Sequence, residues 1–151
     1  MDEIDKRILN LIQKDFPIKP EPFKELAKNL KTSEDEVLSR VSKLKEEGII
    51  RRIGASFDSN KLGYVSTLCA VKVPKNKMEQ TVKVINGYLE VTHNYLREHE
   101  FNIWFTLIAE SQAKIDTIIE EISEKTGGLE IINLPAINLF KINVNFNING
   151  V

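Results

Sequence analysis

Apolar residues in the first third of the chain recur every three or four positions, in three short stretches that polar residues and prolines separate. The first stretch ends before Phe16-Pro17, and the third begins at Ser33 and stops at Gly48, as helices commonly do. This spacing predicts three amphipathic helices. Their core positions are Ile4, Ile8, Leu9, Leu11 and Ile12 in the first, Phe23, Leu26, Ala27 and Leu30 in the second, and Val37, Val41 and Leu44 in the third.

A short candidate strand follows the third helix, in the run Ile49-Ile50-Arg51-Arg52-Ile53. Three helices and a small β-element are typical of a winged helix-turn-helix, which we predict for residues 1–56. At the start of the third helix, Ser33 and Glu36 have the spacing of a capping box, in which each side chain accepts a hydrogen bond from the other residue's amide.

The rest of the chain alternates between strand-like and helix-like patterns. The order of elements, β-α-β-β-α-β, is that of a ferredoxin-like plait, which we assign to residues 57–151. The predicted fold class is therefore α+β, with an amino-terminal winged helix-turn-helix followed by a ferredoxin-like plait. We expect strands at 64–73, 91–97, 102–109 and within 129–144, and helices at 76–88 and 111–126.

Composition limits the class of protein. At 151 residues, with 42% hydrophobic and 28% charged residues, the chain suits one domain or two small ones. It has no apolar run near the roughly 20 residues that cross a membrane, and its amino terminus is acidic, so we expect a cytoplasmic protein with no membrane contact. The net charge of −1 gives no general attraction to nucleic acid. The single cysteine, Cys69, lies in an apolar run and is expected to be buried and inert.

Rare residue types are concentrated in residues 91–107, which hold both histidines and the only tryptophan. Side chains two apart on a strand face the same way. The strand predicted at 91–97 therefore combines a proton carrier, a phenol and a fixed cation on one face. That face consists of Val91, His93, Tyr95 and Arg97. The direction of His99, in the turn after the strand, stays open.

Two blocks of sequence resemble a known family. Residues 51–58, Arg-Arg-Ile-Gly-Ala-Ser-Phe-Asp, lead into Lys61-Leu62-Gly63-Tyr64, and the hairpin stretches 91–97 and 102–106 follow. Together with the order of elements, they resemble the siroheme decarboxylases, an enzyme branch built on the scaffold of the Lrp/AsnC transcriptional regulators. The resemblance implies removal of carbon dioxide from two acetate side chains of siroheme, giving didecarboxysiroheme for haem or haem d formation.

The implied reaction suggests roles for the hairpin residues. Loss of carbon dioxide from an acetate on a pyrrole-type ring leaves a carbanion, so the ring needs a proton donor nearby. We expect His93 to be that acid or an axial ligand to the substrate iron, and both roles remain open. Arg97 is the expected clamp for a carboxylate, because arginine holds carboxylates through paired hydrogen bonds. No cofactor is expected beyond the iron that siroheme carries.

Further side chains are expected to complete the substrate site. Basic residues near the domain boundary can pair with other carboxylates of the tetrapyrrole, if it is held between the two domains. Aromatic residues can stack on the macrocycle or donate hydrogen bonds to it. The expected substrate-binding residues are Arg51, Arg52, Lys61, Tyr64, Tyr95, His99 and Trp104.

Two other functions fit the same fold. One is a DNA-binding regulator whose plait senses an amino acid. The first turn of its third helix, Glu34-Asp35-Glu36, would repel phosphate, and the turn at 98–101 lacks the glycine of the regulators' effector site. DNA is therefore not the expected partner. The other alternative is a haem-sensing module with His93 or His99 as the iron ligand.

A second subunit is an expected partner. The open face of a plait sheet is commonly covered, and the resemblance to the Lrp/AsnC scaffold implies that a second chain covers it. The dimer is either a homodimer or a heterodimer with a paralogous subunit. The tail at 143–149 alternates polar and apolar residues, and is either an edge strand at that interface or a frayed terminus.

Overall fold

The computed structural model describes residues 1–142 and 145–148, and the chain divides into two units. The first unit contains residues 1–55 together with the tail from Lys141, and the second contains residues 56–140. The tail thus groups with the helical unit, whereas the sequence pattern assigned it to the plait. Asn143, Val144 and Asn149 of the candidate edge strand lie outside the described residues, and residues 145–148 are not in a strand.

Three helices build the first unit. Helix α1 spans Glu3–Lys14, α2 spans Pro22–Leu30 and α3 spans Glu34–Glu46. The predicted apolar positions meet in one core, which confirms the helix-turn-helix. Its buried members are Ile8, Leu9, Leu26, Ala27, Leu30, Val37, Val41, Leu44 and Ile50.

The end of α3 shows why no wing strand forms. Gly48 has φ +73°, a left-handed conformation that glycine adopts without steric cost. The chain then turns back, and the amides of Ile49 and Ile50 both donate to the Leu44 carbonyl, at 2.9 and 3.0 Å. Because these two amides close the helix, they are not free to pair in a ladder. The predicted strand at 49–53 is therefore wrong.

The start of α3 has only one half of the predicted capping box. Ser33 Oγ accepts from the Glu36 amide at 3.2 Å, as predicted. The Glu36 carboxylate instead accepts from Arg40 Nε, at 2.6 Å. A complete capping box is found at α1, where Asp2 and Asp5 each accept from the other's amide. Sequence reasoning missed it, although aspartate is a common helix cap and was the available signal.

An ionic network joins α1 to α3. The Arg40 guanidinium donates to Asp2 at 2.7 Å and to Asp5 at 2.8 Å, in addition to its bond with Glu36. The hydrogen bond from the Asp5 amide, and then that from Arg40, hold the pKa of the Asp2 carboxyl below its ordinary value. Arg40 is therefore bound by three carboxylates and links the two helices.

The second unit is a four-stranded antiparallel sheet with two helices. The order of the strands in the sheet is β2-β3-β1-β4, which confirms the ferredoxin-like plait. Among the described residues, no helix of either unit is long and apolar enough to span a membrane. The strands are β1 (Val65–Val71), β2 (Val91–Leu96), β3 (Ile103–Ala109) and β4 (Ile131–Pro135), and the helices are α4 (Met78–Asn86) and α5 (Gln112–Lys125).

The two faces of this sheet differ. The inner face packs against α4 and α5, and its Cys69 and Phe105 are fully buried. Burial raises the pKa of the Cys69 thiol to about 12, so the thiolate does not form near neutral pH. The expected buried cysteine is confirmed. The opposite face, which we name the outer face, presents Leu68 and Leu134 at 38% and 42% exposure.

The Asp2–Arg40 pair predicts how stability changes with pH. A carboxyl whose pKa is lowered by folding stabilises the fold above its unfolded pKa, about 3.9, and this contribution is lost as pH falls through the lower folded value. We expect Asp2→Asn to lower the melting temperature at neutral pH, and the difference from wild type to shrink below about pH 3. Thermal unfolding followed by circular dichroism at both pH values measures this.

Arg40→Gln supplies the matched test. Both substitutions remove the Asp2–Arg40 pair, although Arg40→Gln also removes the bonds to Asp5 and Glu36, so their combined effect at neutral pH should be less than additive. Additive effects, or a difference from wild type that does not depend on pH, would contradict the role given to this pair.

Candidate functional site

A β-bulge decides which way the β2 side chains point. Val91 pairs with Leu107, but His93 pairs with Thr106, so Thr92 is an extra residue with no partner on β3. Val91 therefore packs against the inner-face core, while His93 points to the outer face. The prediction that Val91 shares the face of His93 is wrong, because regular alternation does not anticipate a bulge.

Four of the predicted site residues gather on the outer face around a fifth, Trp104. Tyr95 pairs directly with Trp104. The His93 and Tyr95 rings are stacked, with centroids 6.1 Å and planes 19° apart. The guanidinium carbon of Arg97 lies 5.5 Å from the centre of the Trp104 ring. The His99 ring approaches the same indole edge-on at 6.5 Å, so the direction that the sequence left open is toward this group.

The turn of the hairpin is anchored to the segment just after β1 by a residue that sequence reasoning missed. The Asn102 side chain donates to the Val73 carbonyl and accepts from the Val73 amide, both at 2.9 Å. Lys72 adds an exposed ion pair to Glu100 at 3.2 Å. An asparagine beside a turn could have indicated this contact, because asparagine side chains readily form hydrogen bonds with backbone groups. Asn102 therefore holds the segment that carries Arg97 and His99.

The hairpin carries polar groups of several kinds but no dense metal site. His93 Nδ1 lies 3.1 Å from the hydroxyl of Thr92, which can donate or accept. Arg97 is exposed, and Glu98 and Glu100 stand on either side of His99 in the chain. Within the part of the chain that the structure describes, no group of three or more His, Cys, Asp or Glu side chains could hold a metal ion. A single histidine remains able to ligate an iron that arrives with a ligand.

Lys61 and Tyr64 lie in a loop before β1. The Asp58 carboxylate accepts from the Asn60 and Lys61 amides, at 3.1 and 3.3 Å, and orders this loop. The Lys61 side chain is exposed, and Tyr64 is 45% exposed. Thr106 pairs with His93 on one side and with Leu68 of β1 on the other. Tyr64 lies four residues before Leu68 in the chain, which corresponds to about 13 Å at the rise of a strand. Tyr64 is therefore not part of the group around Trp104.

Arg51 and Arg52 belong to the first unit and are both exposed. Arg52 donates to the Ala55 carbonyl at 3.3 Å. Both arginines border an open cavity of about 900 Å³ with mostly apolar walls, among them Ile12 and Phe16. The sequence did not indicate this cavity, because its walls come from α1, from the segment after α3 and from the tail.

Fold and site together define a class of protein. A helix-turn-helix followed by a plait, with polar and aromatic side chains on the hairpin of the sheet, is the architecture of the Lrp/AsnC-like proteins. Two family models agree with this class. The AsnC-like ligand binding domain matches residues 61–141, and the siroheme decarboxylase NirDL-like HTH domain matches residues 5–51.

Individual relatives narrow the class to one family. The siroheme decarboxylase alpha subunit of Desulfovibrio desulfuricans is 52% identical over 150 residues, which cover 99% of this chain and 86% of the relative. The crystal structure of the siroheme decarboxylase NirDL matches with a TM-score of 0.72 and 36% identity, over 93% of this chain and 46% of NirDL. NirDL in co-complex with an iron-uroporphyrin III analogue matches with a TM-score of 0.70 and 33% identity, over 93% and 48%. The chain therefore belongs to the siroheme decarboxylases, a family of carboxy-lyases, and it spans about half the length of NirDL.

The contact between Arg97 and Trp104 predicts a change that needs no substrate. Arg97→Ala uncovers part of the indole, so the emission of the only tryptophan should move to longer wavelength. The loss of an exposed cation–π contact should lower stability by about 0.5–1 kcal/mol. Lys83→Ala is the matched control. Lys83 is an exposed residue of α4, which packs on the opposite face of the sheet from Trp104, so the emission should stay unchanged. An unchanged spectrum for Arg97→Ala would contradict the contact.

Proposed function

We propose that this chain is a siroheme decarboxylase subunit that handles the substrate on the outer face of the β2–β3 hairpin. The reaction removes carbon dioxide from two acetate side chains of siroheme and gives didecarboxysiroheme, for haem or haem d formation. The observation that carries the proposal is the grouping of His93, Tyr95, Arg97 and His99 around Trp104. This grouping supplies, on one surface, the side chains that an iron tetrapyrrole with several carboxylates requires.

His93 is the proposed proton donor or iron ligand. When the acetate loses carbon dioxide, the electrons of the broken C–C bond remain at the methylene carbon that carried the carboxylate, and this carbon takes a proton to become a methyl group. The His93 ring is exposed, and Tyr95 stacks beside it. Its Nε2 is not occupied by the Thr92 contact, which uses Nδ1. Nε2 is therefore the atom we assign to the proton or to the substrate iron.

Arg97 is the proposed carboxylate clamp. Its guanidinium carbon lies over the Trp104 ring, 5.5 Å from the ring centre, and the side chain is exposed. A guanidinium at this position can form two parallel hydrogen bonds to a carboxylate. Trp104 holds the cation in place before the substrate arrives, and Tyr95 is the proposed aromatic contact to the macrocycle.

The remaining proposed contacts involve cations outside the hairpin. Arg51 and Arg52 of the first unit, and Lys61 of the second, are exposed and suit further carboxylates of the tetrapyrrole. Tyr64 is also a proposed substrate contact, through stacking on the macrocycle or a hydrogen bond to it. The iron of siroheme is the only metal in this proposal, and it belongs to the substrate.

A second subunit is part of the proposal. Leu68 and Leu134 are exposed on the outer face and suit burial against another chain. The relative from Desulfovibrio desulfuricans is an alpha subunit, and NirDL is about twice as long as the segment that matches this chain. We propose a dimer, formed either by two like chains or with a paralogous subunit.

DNA binding receives little support from α3. Its first turn is acidic, with Glu34, Asp35 and Glu36, at the end of a recognition helix that usually contacts bases. Its one arginine, Arg40, is engaged by three carboxylates and so is not available to phosphate.

Incubation with siroheme in the absence of oxygen tests the proposal. We expect mass spectrometry to find loss of two carbon dioxide units in the presence of the paralogous partner. His93→Ala should lower the rate by at least about 100-fold, because general acid–base groups contribute about 10²–10⁴ to rates. Circular dichroism should be unchanged, because His93 is exposed.

Three outcomes would contradict parts of this proposal. Unchanged siroheme with a shifted absorption spectrum would support a haem-sensing module instead. Salt-sensitive retention on DNA would support a regulator. Full activity of His93→Ala would remove His93 from the mechanism while leaving the decarboxylase assignment intact.

A further inference from the structure

We propose that the two histidines of the hairpin have separate roles, and that His99 is a fixed hydrogen-bond donor whose Nε2–H binds a carboxylate of the tetrapyrrole. His99 is then neither the iron ligand nor the proton donor, and both of those roles are left to His93. This inference rests on the proposed function, since it concerns the same substrate and the same face of the hairpin.

The hydrogen bonding of the His99 ring carries the inference. The Phe101 amide donates to His99 Nδ1 at 3.1 Å. A backbone N–H can only donate, so Nδ1 must offer its lone pair. In the neutral ring the proton is therefore on Nε2. An Nε2 that carries a proton donates a hydrogen bond but has no lone pair for iron.

The surrounding turn fixes this arrangement. The Phe101 carbonyl accepts from the Trp104 indole N–H at 2.6 Å, so the backbone carbonyl and the backbone amide of Phe101 are both hydrogen-bonded. The His99 amide donates to the Arg97 carbonyl at 3.0 Å, and the Arg97 amide donates to the Asn102 carbonyl at 2.8 Å. A donor held by this many bonds is preorganised, and little ordering remains to be done when a ligand binds.

The rings beside His99 limit its rotation as well. Phe101 is stacked at 6.2 Å with planes 26° apart, and Trp104 approaches at 6.5 Å with planes 64° apart. Turning the imidazole over about its Cβ–Cγ bond would exchange Nδ1 with Cδ2, and the Phe101 amide would then face a C–H group that cannot accept its hydrogen bond. The ring is therefore held with Nε2 away from the backbone.

His93 differs from His99 in the hydrogen-bond partner of Nδ1. Its Nδ1 faces the hydroxyl of Thr92 at 3.1 Å, and a hydroxyl can donate to a bare nitrogen or accept from a protonated one. Either state of His93 keeps this bond, so Nε2 can hold a lone pair at one stage and a proton at another. An iron ligand needs the lone pair on Nε2, and a proton donor must exchange the proton there. The Phe101 amide prevents this in His99, because it requires the lone pair of Nδ1 and leaves the proton on Nε2.

Position also favours a carboxylate as the ligand of His99. His99 and Arg97 both contact Trp104, so two donors lie side by side on the hairpin. Glu98 and Glu100 are the chain neighbours of His99, and Glu100 is paired with Lys72. Siroheme carries carboxylates on several neighbouring side chains, and two adjacent donors suit two of them.

The tautomer is tested first, by long-range ¹H–¹⁵N correlation spectra of the full-length protein labelled with ¹⁵N-histidine. The chain has two histidines, so the spectrum of His93→Gln assigns both sets of signals. We expect the Nε2–H form for neutral His99. A proton on Nδ1 of His99 would overturn the inference, and this reading does not depend on any activity.

The role is tested by kinetics with siroheme and the paralogous partner under exclusion of oxygen. His99→Leu removes the donor and should raise KM roughly 10- to 100-fold with little change in kcat, because a hydrogen bond to a charged group is lost. His99→Gln keeps a terminal N–H donor and should restore KM to within a few-fold of wild type. Glu98→Gln is the matched control in the turn and should behave as wild type.

The absorption spectrum of bound siroheme separates the two histidines. His99→Leu should leave the iron bands unchanged once the protein is saturated. A change of iron ligation in His99→Leu, or a fall in kcat without a rise in KM, would overturn the inference. An inactive wild-type pair would instead reject the proposed function, and the tautomer measurement would still decide the state of His99.

Discussion

The pairing of β2 with β3 places His93, Tyr95 and Trp104 on the outer face, because residues of a strand alternate between the two faces of a sheet. A slip of one residue would move His93 from the outer face into the core. The bulge at Thr92 avoids a conflict between two requirements, since Val91 packs against the core and His93 points away from it. One extra residue thus allows both packing and chemistry on the same short strand.

Trp104 is the second feature on which the site depends. It supports Arg97 through its ring face and binds the Phe101 carbonyl through its indole N–H. The Arg97 side chain is exposed, and the Phe101 amide donates to His99 Nδ1. A single aromatic residue therefore organises two donors of different kind. The same scaffold serves the Lrp/AsnC regulators, so function resides in these side chains and not in the fold.

Local patterns accounted for much of the architecture. The helices of the first unit and the β-α-β-β-α-β order followed from spacing, since an amphipathic element must turn its apolar side to the core. The candidate site was predicted as a set of residue types, and His93, Tyr95 and Arg97 do share a face. The wing strand failed because the Ile49 and Ile50 amides close α3. Asn102 was missed because its partner, Val73, is 29 residues away in the chain.

The sequence by itself determined the order of the elements, the residues available to the core, and the gathering of both histidines, the tryptophan and Arg97 in one hairpin. Only the tertiary structure decided that Val91 and His93 face opposite ways, that His99 turns toward Trp104, and that the tail groups with the helical unit. The reason is physical. Periodicity reports which side of an element is apolar, whereas bulges and turns follow from hydrogen bonds between residues that come together only after the chain has folded.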